Sequence, residues 1–306
     1  MLMRIESVRD LHSQFPDIDG YWASDDLAAT EATIRSMLPA DLAGDWSPTA
    51  LDAVTQLVRA QNLQGKSVEA KETLELARKL IMAIDPAKRV RLEIRLILEE
   101  GRHLCLSMMP AKAQAHFNQA WTMATEANEV FLAIEAAVML SISQPPKSQN
   151  EWLQRAIQLA EKTDVAQAKL WLAQLYLMDG WHAYDFRRFE DALRSFNLAL
   201  ARPRDRGEMT DMILIKWCVA RALRALGRTQ EALEIQKELY IEVSNAGKLN
   251  GYVFLEMAEC LQLLNKKDEA RGYFEAAYKE LSVNGWYSDN KASELSRMQH
   301  LYKKRY

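Results

Sequence analysis

The chain has 306 residues, a formal net charge of −3, and only 11 glycines and 8 prolines. This composition predicts a helical protein with short connections, and the near-neutral charge excludes a global positive field that would steer the protein onto nucleic acid or an anionic membrane. Three widely spaced cysteines fit neither a disulfide framework nor a paired-cysteine zinc site, and the sequence shows neither a signal peptide nor a long uncharged apolar run. We therefore expect a soluble, cytoplasmic protein.

The first 47 residues predict two helices. Residues 4–15 form the first, and Ser24 is a candidate N-cap for the second, DDLAATEATIRSML, which Pro39 ends. This segment lacks a convincing recognition helix, so direct binding to DNA is not expected. We predict that residues 1–47 form N-terminal capping helices.

A ladder of packing residues repeats through residues 48–284. Gly180 is followed at spacings of 12, 4 and 3 residues by Ala192, Phe196 and Ala199. The other copies are Val58-Ala70-Leu74-Ala77, Gly101-Ala113-Phe117-Ala120, a weaker Ser141-Leu153-Ile157-Ala160, Ala220-Ala232-Gln236-Leu239 and Ala258-Ala270-Phe274-Ala277. We call the second member of each ladder the hinge residue, and the six hinge residues recur every 38–43 residues. Such regularity predicts six copies of one structural unit.

Each unit is predicted to be a helical hairpin. A small residue in each helix lets two antiparallel backbones approach closely, and the bulky residue one turn later fills the space toward the next unit. Turn sequences fall where the two helices should join, and a proline pair breaks the weaker third unit: Gln64-Gly65-Lys66, Met109-Pro110, Gln144-Pro145-Pro146, Gly227-Arg228-Thr229 and Asn265-Lys266-Lys267.

This ladder resembles the tetratricopeptide repeat, and GRTQEALEIQKEL and NKKDEARGYFEAAYKEL look like its second helices with their lead-in turns. The resemblance implies an all-α, right-handed superhelix (solenoid) of about six hairpins over residues 48–284. The period exceeds the usual value of about 34 residues, and the motif's first-helix aromatic and terminal proline are mostly absent. The chain is therefore similar to the longer repeats of kinesin light chains and of bacterial peptide- or sugar-responsive regulators.

Residues 285–306 are predicted to form a C-terminal capping helix. Ser288 or Asp289 would cap the sequence NKASELSRMQHLYKKRY, whose Lys and Arg cluster suits the negative end of the helix dipole. Together with residues 1–47, this helix would cover the exposed ends of the array.

No residue is predicted to be catalytic or to hold a metal or cofactor. His103 and His182 lie ten residues before their hinge residues, where other units carry Ala60, Ala222 or Cys260, so this position favours helix packing. The sequence contains no HExxH, CxxC, glycine-rich phosphate loop or nucleophile elbow. The protein is therefore predicted not to be an enzyme.

Neighbouring charges are predicted to lie on solvated helix faces. The carboxylates Glu99 and Glu100, like Glu190 and Asp191, are adjacent in sequence and should splay to different sides of a helix. The same interpretation applies to Arg187-Arg188.

The resemblance also implies a concave groove, into which the residues 18, 15, 11, 8 and 7 before each hinge residue point. Aromatic and arginine side chains gather at those positions, and both types are enriched at binding hot spots. The predicted partner-binding residues are Arg59, Arg95, Arg102, Trp181, Tyr184, Trp217, Arg221, Arg224 and Tyr252. Arginine pairs well with carboxylates, so the partner is predicted to be a protein or peptide with acidic and aromatic residues. For Trp181 and Trp217, packing between repeats is an open alternative.

These features predict a non-enzymatic protein-interaction scaffold or adaptor that binds a partner segment in the groove. One alternative is a sensor of a peptide or small ligand that controls a partner protein, and another is a subunit of a larger assembly. The carboxylate clamp of chaperone-binding members is not reproduced, because its positions in the first unit hold Thr55 and Arg59, with Asn62 only nearby. The oligomeric state is not predicted.

Overall fold

A computed structural model describes residues 26–40, 46–202, 208–245 and 250–303, and within these ranges the regular structure is entirely α-helical. The helices are α1 Leu27–Ser36, α2 Pro48–Leu63, α3 Ser67–Met82, α4 Pro86–Leu106, α5 Pro110–Glu126, α6 Val130–Ser143, α7 Pro146–Lys162, α8 Ala166–Lys169, α9 Trp171–Asp185, α10 Phe189–Leu200, α11 Glu208–Ala225, α12 Thr229–Asn245, α13 Gly251–Leu263, α14 Lys267–Ser282, α15 Gly285–Asn290 and α16 Ala292–Lys303. The predicted all-α class is confirmed.

Consecutive helices pack together as hairpins within two compact units. Unit 1 extends to Asp179 and includes Arg202, and its hairpins are α2–α3, α4–α5 and α6–α7. Of the described residues, unit 2 comprises 180–201, 208–245 and 250–303, and its hairpins include α11–α12 and α13–α14. The predicted division into caps and array at residues 47 and 284 stays a prediction.

The repeated ladder forms the core of the hairpins. Every residue of all six copies is buried, and Leu74 is the most exposed of the hydrophobic members at 7%. Even the weaker third copy, around Leu153, and the polar Gln236 follow this pattern. The ladder therefore marks the helix-packing positions in every unit.

The glycines of the ladder are required by close approach to an aromatic ring. A Cβ atom on Gly101 would lie 2.4 Å from Phe117 Cε1, and one on Gly180 would lie 2.3 Å from Phe196 Cε1. Real carbon atoms do not approach this closely without a shift. The Gly-to-Phe spacing in the sequence thus results from the close packing of one helix on the next.

The turns within the hairpins share one backbone geometry. A residue with positive φ follows the first helix in five of them, at Gly65, Met108, Arg187, Gly227 and Asn265. The next residue's N–H then donates to the carbonyl oxygen five residues earlier, as in the 2.9 Å bond from Arg188 N to Ala183 O. This Schellman-type ending satisfies carbonyls at the helix C-terminus and turns the chain into the second helix. The predicted turn regions are confirmed.

The two ends of the chain differ in detail from the prediction. Ser24 and the predicted helix over residues 4–15 lie outside the described residues. Asp26 is the N-cap of α1, and its carboxylate accepts hydrogen bonds from the backbone N–H groups of two residues in the first turn. At the other end, the prediction that Ser288 or Asp289 caps a single helix is wrong, since both lie inside the short helix α15, which Asn284 caps.

No helix in the described part of the chain combines the length and apolar character needed to cross a bilayer.

Candidate functional site

The nine predicted groove residues fall into two groups, one in each compact unit. Arg59, Arg95 and Arg102 belong to unit 1, and the aromatic residues with Arg221 and Arg224 belong to unit 2. The unit 1 group is surrounded by carboxylates, whereas the unit 2 group contains packed aromatic rings.

In unit 1, two of the arginines form a buried ion network with Glu99 and Glu135. Arg59 is 8% exposed and Arg102 is 1% exposed. Arg59 Nη2 lies 2.7 Å from Glu99 Oε1, Arg102 Nη1 lies 2.5 Å from the same oxygen, and both guanidinium groups also bond to Glu135. Two positive and two negative charges therefore compensate each other in the core.

The ion pairs shift the pKa values of Glu135 and Arg59 so that the charged forms are favoured. Burial raises the pKa of Glu135, but the charges of Arg59, Arg102 and Arg95 outweigh burial and bring the pKa down to about 2. Burial opposes the charge on Arg59, but Glu99 and Glu135 raise its pKa above the ordinary value. Glu135 and Arg59 thus stay charged at neutral pH, as a buried ion pair requires.

Arg95 is also buried and paired. It is 4% exposed, and its Nη1 lies 3.1 Å from Asp52 Oδ2. The positive strip predicted for Arg59, Arg95 and Arg102 therefore consists of guanidinium groups that face carboxylates in the core. Their predicted role in partner binding stays a prediction, but the structure gives them a structural role.

The predicted exposure of Glu99 and Glu100 is wrong. They are 1% and 8% exposed. As predicted, the two carboxylates point to different sides of the helix: Glu99 faces Arg59 and Arg102, whereas Glu100 lies 2.5 Å from Arg78. The repeat positions could have indicated the pairing of Arg59 with Glu99. Arg59 lies 11 residues before its hinge residue, and Glu99 lies 14 residues before the hinge residue of the next unit. By contrast, Glu190 and Arg187-Arg188 are exposed as predicted, although Arg187-Arg188 lie in the turn between α9 and α10 and not on a helix.

In unit 2, aromatic rings from the first helices form a packed floor. Trp181 is 7% exposed and Trp217 is 2% exposed, and their ring centroids are 5.9 Å apart. Trp217 also contacts the Tyr252 ring at 6.1 Å and donates a 3.2 Å hydrogen bond from Nε1 to the Tyr252 carbonyl. The open alternative for the two tryptophans is therefore the one observed, since both pack against neighbouring helices.

Arg221 lies over this floor, and both Arg221 and Arg224 are only partly buried. The guanidinium carbon of Arg221 is 5.1 Å from the Trp217 centroid, 5.5 Å from the Tyr184 centroid and 6.0 Å from the Trp181 centroid. The side chains of Arg221 and Arg224 are 13% and 20% exposed. Stacking on three rings holds the Arg221 guanidinium in place while leaving part of it accessible to solvent.

Glu256, which sequence reasoning missed, forms ion pairs with both arginines. It is 2% exposed and accepts bonds of 2.7 and 2.9 Å from Nε and Nη2 of Arg224, while Arg221 Nη1 lies 3.5 Å away. Burial raises the pKa of Glu256, but the charges of Arg224 and Arg221 hold it below the usual range. We call these seven residues the aromatic–arginine cluster: Trp181, Tyr184, Trp217, Arg221, Arg224, Tyr252 and Glu256.

Glu256 could have been found from the repeat register. Arg221 precedes its hinge residue by 11 positions, and Glu256 precedes the next by 14, which is the relation between Arg59 and Glu99. The same pair of positions therefore produces an inter-repeat ion pair in both units.

No family model matches the chain, and no curated protein matches it in sequence. Solved structures do match it. RapI in its apo form shows a TM-score of 0.56 at 12% identity over 82% of this chain and 69% of its own, and BtubC (BKLC) from P. vanneervenii shows 0.55 at 12% over 73% and 91%. A tetratricopeptide repeat protein from Parabacteroides merdae covers 91% of this chain and 93% of its own at 17% identity, with a TM-score of 0.45.

The fold is that of a tetratricopeptide-type repeat protein. At these identities the likeness describes the fold alone, and the chemistry of this repeat protein depends on its own residues.

His103 and His182 each contact a neighbouring side chain. His103 Nδ1 lies 2.9 Å from Asn62 Oδ1, and burial together with the charge of Lys71 lowers the pKa of His103. His182 packs against the Phe186 ring at 4.8 Å. Among the described residues, no three His, Cys, Asp or Glu side chains are grouped so that they could hold a metal ion.

The cysteines are free thiols with little nucleophilic character. Burial raises the pKa of Cys260 to about 12 and also raises the pKa values of Cys105 and Cys218. The thiolate is the reactive form, so these side chains stay protonated near neutral pH.

Proposed function

We propose that this protein is a non-enzymatic interaction scaffold or adaptor that binds a partner segment on the aromatic–arginine cluster of unit 2. The observation that supports this proposal is the position of Arg221, a partly exposed guanidinium stacked on three aromatic rings. Three free cysteines agree with a reducing compartment, so the proposal includes a cytoplasmic location.

The cluster has the construction expected of a binding hot spot. Trp217 and Trp181 provide a rigid floor that is already desolvated, so little side-chain entropy is lost when a partner covers it. Ring contacts hold Arg221 above that floor and Glu256 holds Arg224, so the donors of both arginines are preorganised before binding.

The cluster also has a guanidinium group that its own carboxylate engages only loosely. Arg221 Nη1 lies 3.5 Å from Glu256 Oε1, and the Arg221 side chain is 13% exposed. A partner carboxylate could accept from this group, and an adjacent aromatic or aliphatic side chain could pack on the exposed parts of Tyr184 and Tyr252. The proposed partner is therefore a protein or peptide with an acidic residue next to an apolar one, rather than nucleic acid or membrane.

Selection of peptides from a random phage-displayed library tests the proposal. We expect the wild-type protein to enrich peptides that combine Asp or Glu with an aromatic residue. A triple variant, Arg221→Gln/Arg224→Gln/Glu256→Gln, removes the three charges together, so that no buried carboxylate is left without its partner. It should bind the enriched peptides at least about tenfold more weakly, since charge-assisted hydrogen bonds are lost.

The matched control is Arg194→Gln, which also lowers the net charge by one. Arg194 lies on the second helix α10 of unit 2, with its side chain 69% exposed. This variant should bind as the wild type does. If no peptide is enriched, or if the triple variant binds with unchanged affinity, the proposed site is wrong. A change in X-ray scattering on peptide binding would favour a ligand-responsive regulator over a passive scaffold.

A further inference from the structure

We infer that Glu256 sets the charge specificity of the aromatic–arginine cluster, so that the cluster accepts one carboxylate and discriminates against a phosphate group. This inference rests on the proposed function and names the chemistry of the partner group. It depends on three observations: the charge balance, the hydrogen-bond donors in use, and the burial of the site.

The charge balance leaves one positive charge for a ligand. Arg221 and Arg224 carry two positive charges, and the buried Glu256 removes one. The nearby Glu259 is already paired with Arg297, so that pair adds no net charge. A single carboxylate would neutralise the cluster, whereas a phosphate group with a charge of about −1.5 to −2 at pH 7 would leave an excess of negative charge.

The donors of the cluster are also partly occupied. Glu256 takes both Nε and Nη2 of Arg224 in a bidentate pair, with distances of 2.7 and 2.9 Å. Arg221 is less committed, since its Nη1 lies 3.5 Å from Glu256 and its side chain is 13% exposed. One guanidinium group is thus only partly engaged, and it matches the two oxygens of a carboxylate better than the three oxygens of a phosphate.

Partial burial of the cluster makes binding depend on the charge of the ligand group. Doubling the ligand charge doubles its attraction to the site but raises the Born cost of desolvating it about fourfold. In water this cost would be small, but the side chains of Arg221 and Arg224 are only 13% and 20% exposed, and Arg221 lies over the Trp217 ring. The buried carboxylate of Glu256 therefore acts against a doubly charged group.

Three versions of one peptide test this inference on the wild-type protein. The probe is the most enriched acidic peptide from the phage selection, synthesised with Glu, phosphoserine or cysteic acid at its acidic position. The sulfonate of cysteic acid is tetrahedral like phosphate but carries one negative charge, so it separates shape from charge. We expect the Glu and cysteic acid peptides to bind with similar affinity and the phosphoserine peptide to bind about tenfold more weakly.

The variant Glu256→Gln tests the assigned residue. The substitution keeps the shape of the side chain and raises the charge of the cluster from one to two, so the relative affinity for the phosphoserine peptide should rise about tenfold or more. Glu231→Gln is the matched control, because it makes the same charge change on the exposed face of α12 in the same unit. Its ratio of phosphoserine to Glu affinity should equal that of the wild type.

The outcomes separate the inference from the proposed function. If the wild type binds the phosphoserine peptide as tightly as the Glu peptide, or if Glu256→Gln leaves the ratio unchanged, the inference is wrong and the binding site stands. If the selection yields no peptide, the proposed function fails and the inference fails with it. If circular dichroism shows that Glu256→Gln is unfolded, the comparison of the three peptides on the wild type still tests whether the cluster discriminates against phosphate.

Discussion

The same repeat position holds an arginine in both compact units, but its chemistry differs between them. Arg59 and Arg102 in unit 1 share two carboxylates and are buried, whereas Arg221 in unit 2 shares one carboxylate with Arg224 and lies on aromatic rings. All three arginines precede a hinge residue by 11 positions. A position in the repeat therefore does not fix whether its side chain is structural or available for binding.

The difference follows from the balance of charges. In unit 1, α6 supplies Glu135 as a second carboxylate, so the four charges sum to zero and the group can be buried. In unit 2, Glu256 faces two arginines, and the remaining positive charge is costly to remove from water. Partial exposure of Arg221 and Arg224 is the physical result.

The largest expected effect separates the two units directly. Arg102→Gln would leave Glu99 and Glu135 with Arg59 alone, so an uncompensated negative charge in the core should lower the free energy of unfolding by about 3–5 kcal/mol. Arg221→Gln should cost only about 1 kcal/mol, because Glu256 keeps its bidentate pair with Arg224. Urea unfolding followed by circular dichroism measures both losses. Equal losses would show that the arginines of the two units do not differ as described.

A smaller effect is expected from pH. The pKa of Glu135 is about 2 in the folded protein and about 4.3 in an unfolded chain. Because the folded value is the lower one, the network's contribution is fully present above about pH 4.3 and is lost as pH falls toward 2, a change of about 3 kcal/mol.

Comparison with Glu135→Gln isolates this titration. The variant lacks the carboxyl group, so its stability deficit relative to the wild type should shrink between pH 4.5 and pH 2 in urea unfolding experiments. Glu69→Gln, at an exposed position in α3, should follow the wild type over the whole range. A deficit that is constant with pH would contradict the pairing of Glu135.

The smallest effect tests what the two units have in common. Gly101→Ala and Gly180→Ala each place a Cβ atom within 2.4 Å of a phenylalanine ring carbon, so both should lower the unfolding free energy by about 1–3 kcal/mol. Gly272→Ala is the control, because nothing lies within 4 Å of its added Cβ, and a helix-interior alanine should stabilise by about 0.5–1 kcal/mol. A loss in only one unit would contradict a shared packing rule.

The fold was largely predictable because its packing is local and repeated. Close contact between two helices demands a small residue opposite a large one, as with Gly180 and Phe196, and this demand recurs in each hairpin at nearly constant spacing. Turn positions followed from the same register. Of the three hairpin turns whose positive-φ residue is not glycine, those at Met108 and Asn265 lie at or beside predicted turn sequences and the one at Arg187 was missed, since tertiary packing holds a non-glycine residue there in a left-handed conformation.

The candidate site was predictable only in part. The register placed Trp181, Trp217 and Arg221 together, and the structure brings them into contact. The register that relates Arg59 to Glu99 and Arg221 to Glu256 did not reveal how many carboxylates and guanidinium groups meet at each place, and that number decides the accessibility of the arginines.

The sequence by itself determined the helical hairpins, their number and the positions that pack them, since these depend on residue size at fixed helical spacing. Only the tertiary structure decided which arginines are neutralised in the core and which remain partly open. That decision depends on contacts between residues about 35–76 positions apart, such as Arg59 with Glu135 and Arg221 with Glu256, whose charges must balance before water can be excluded.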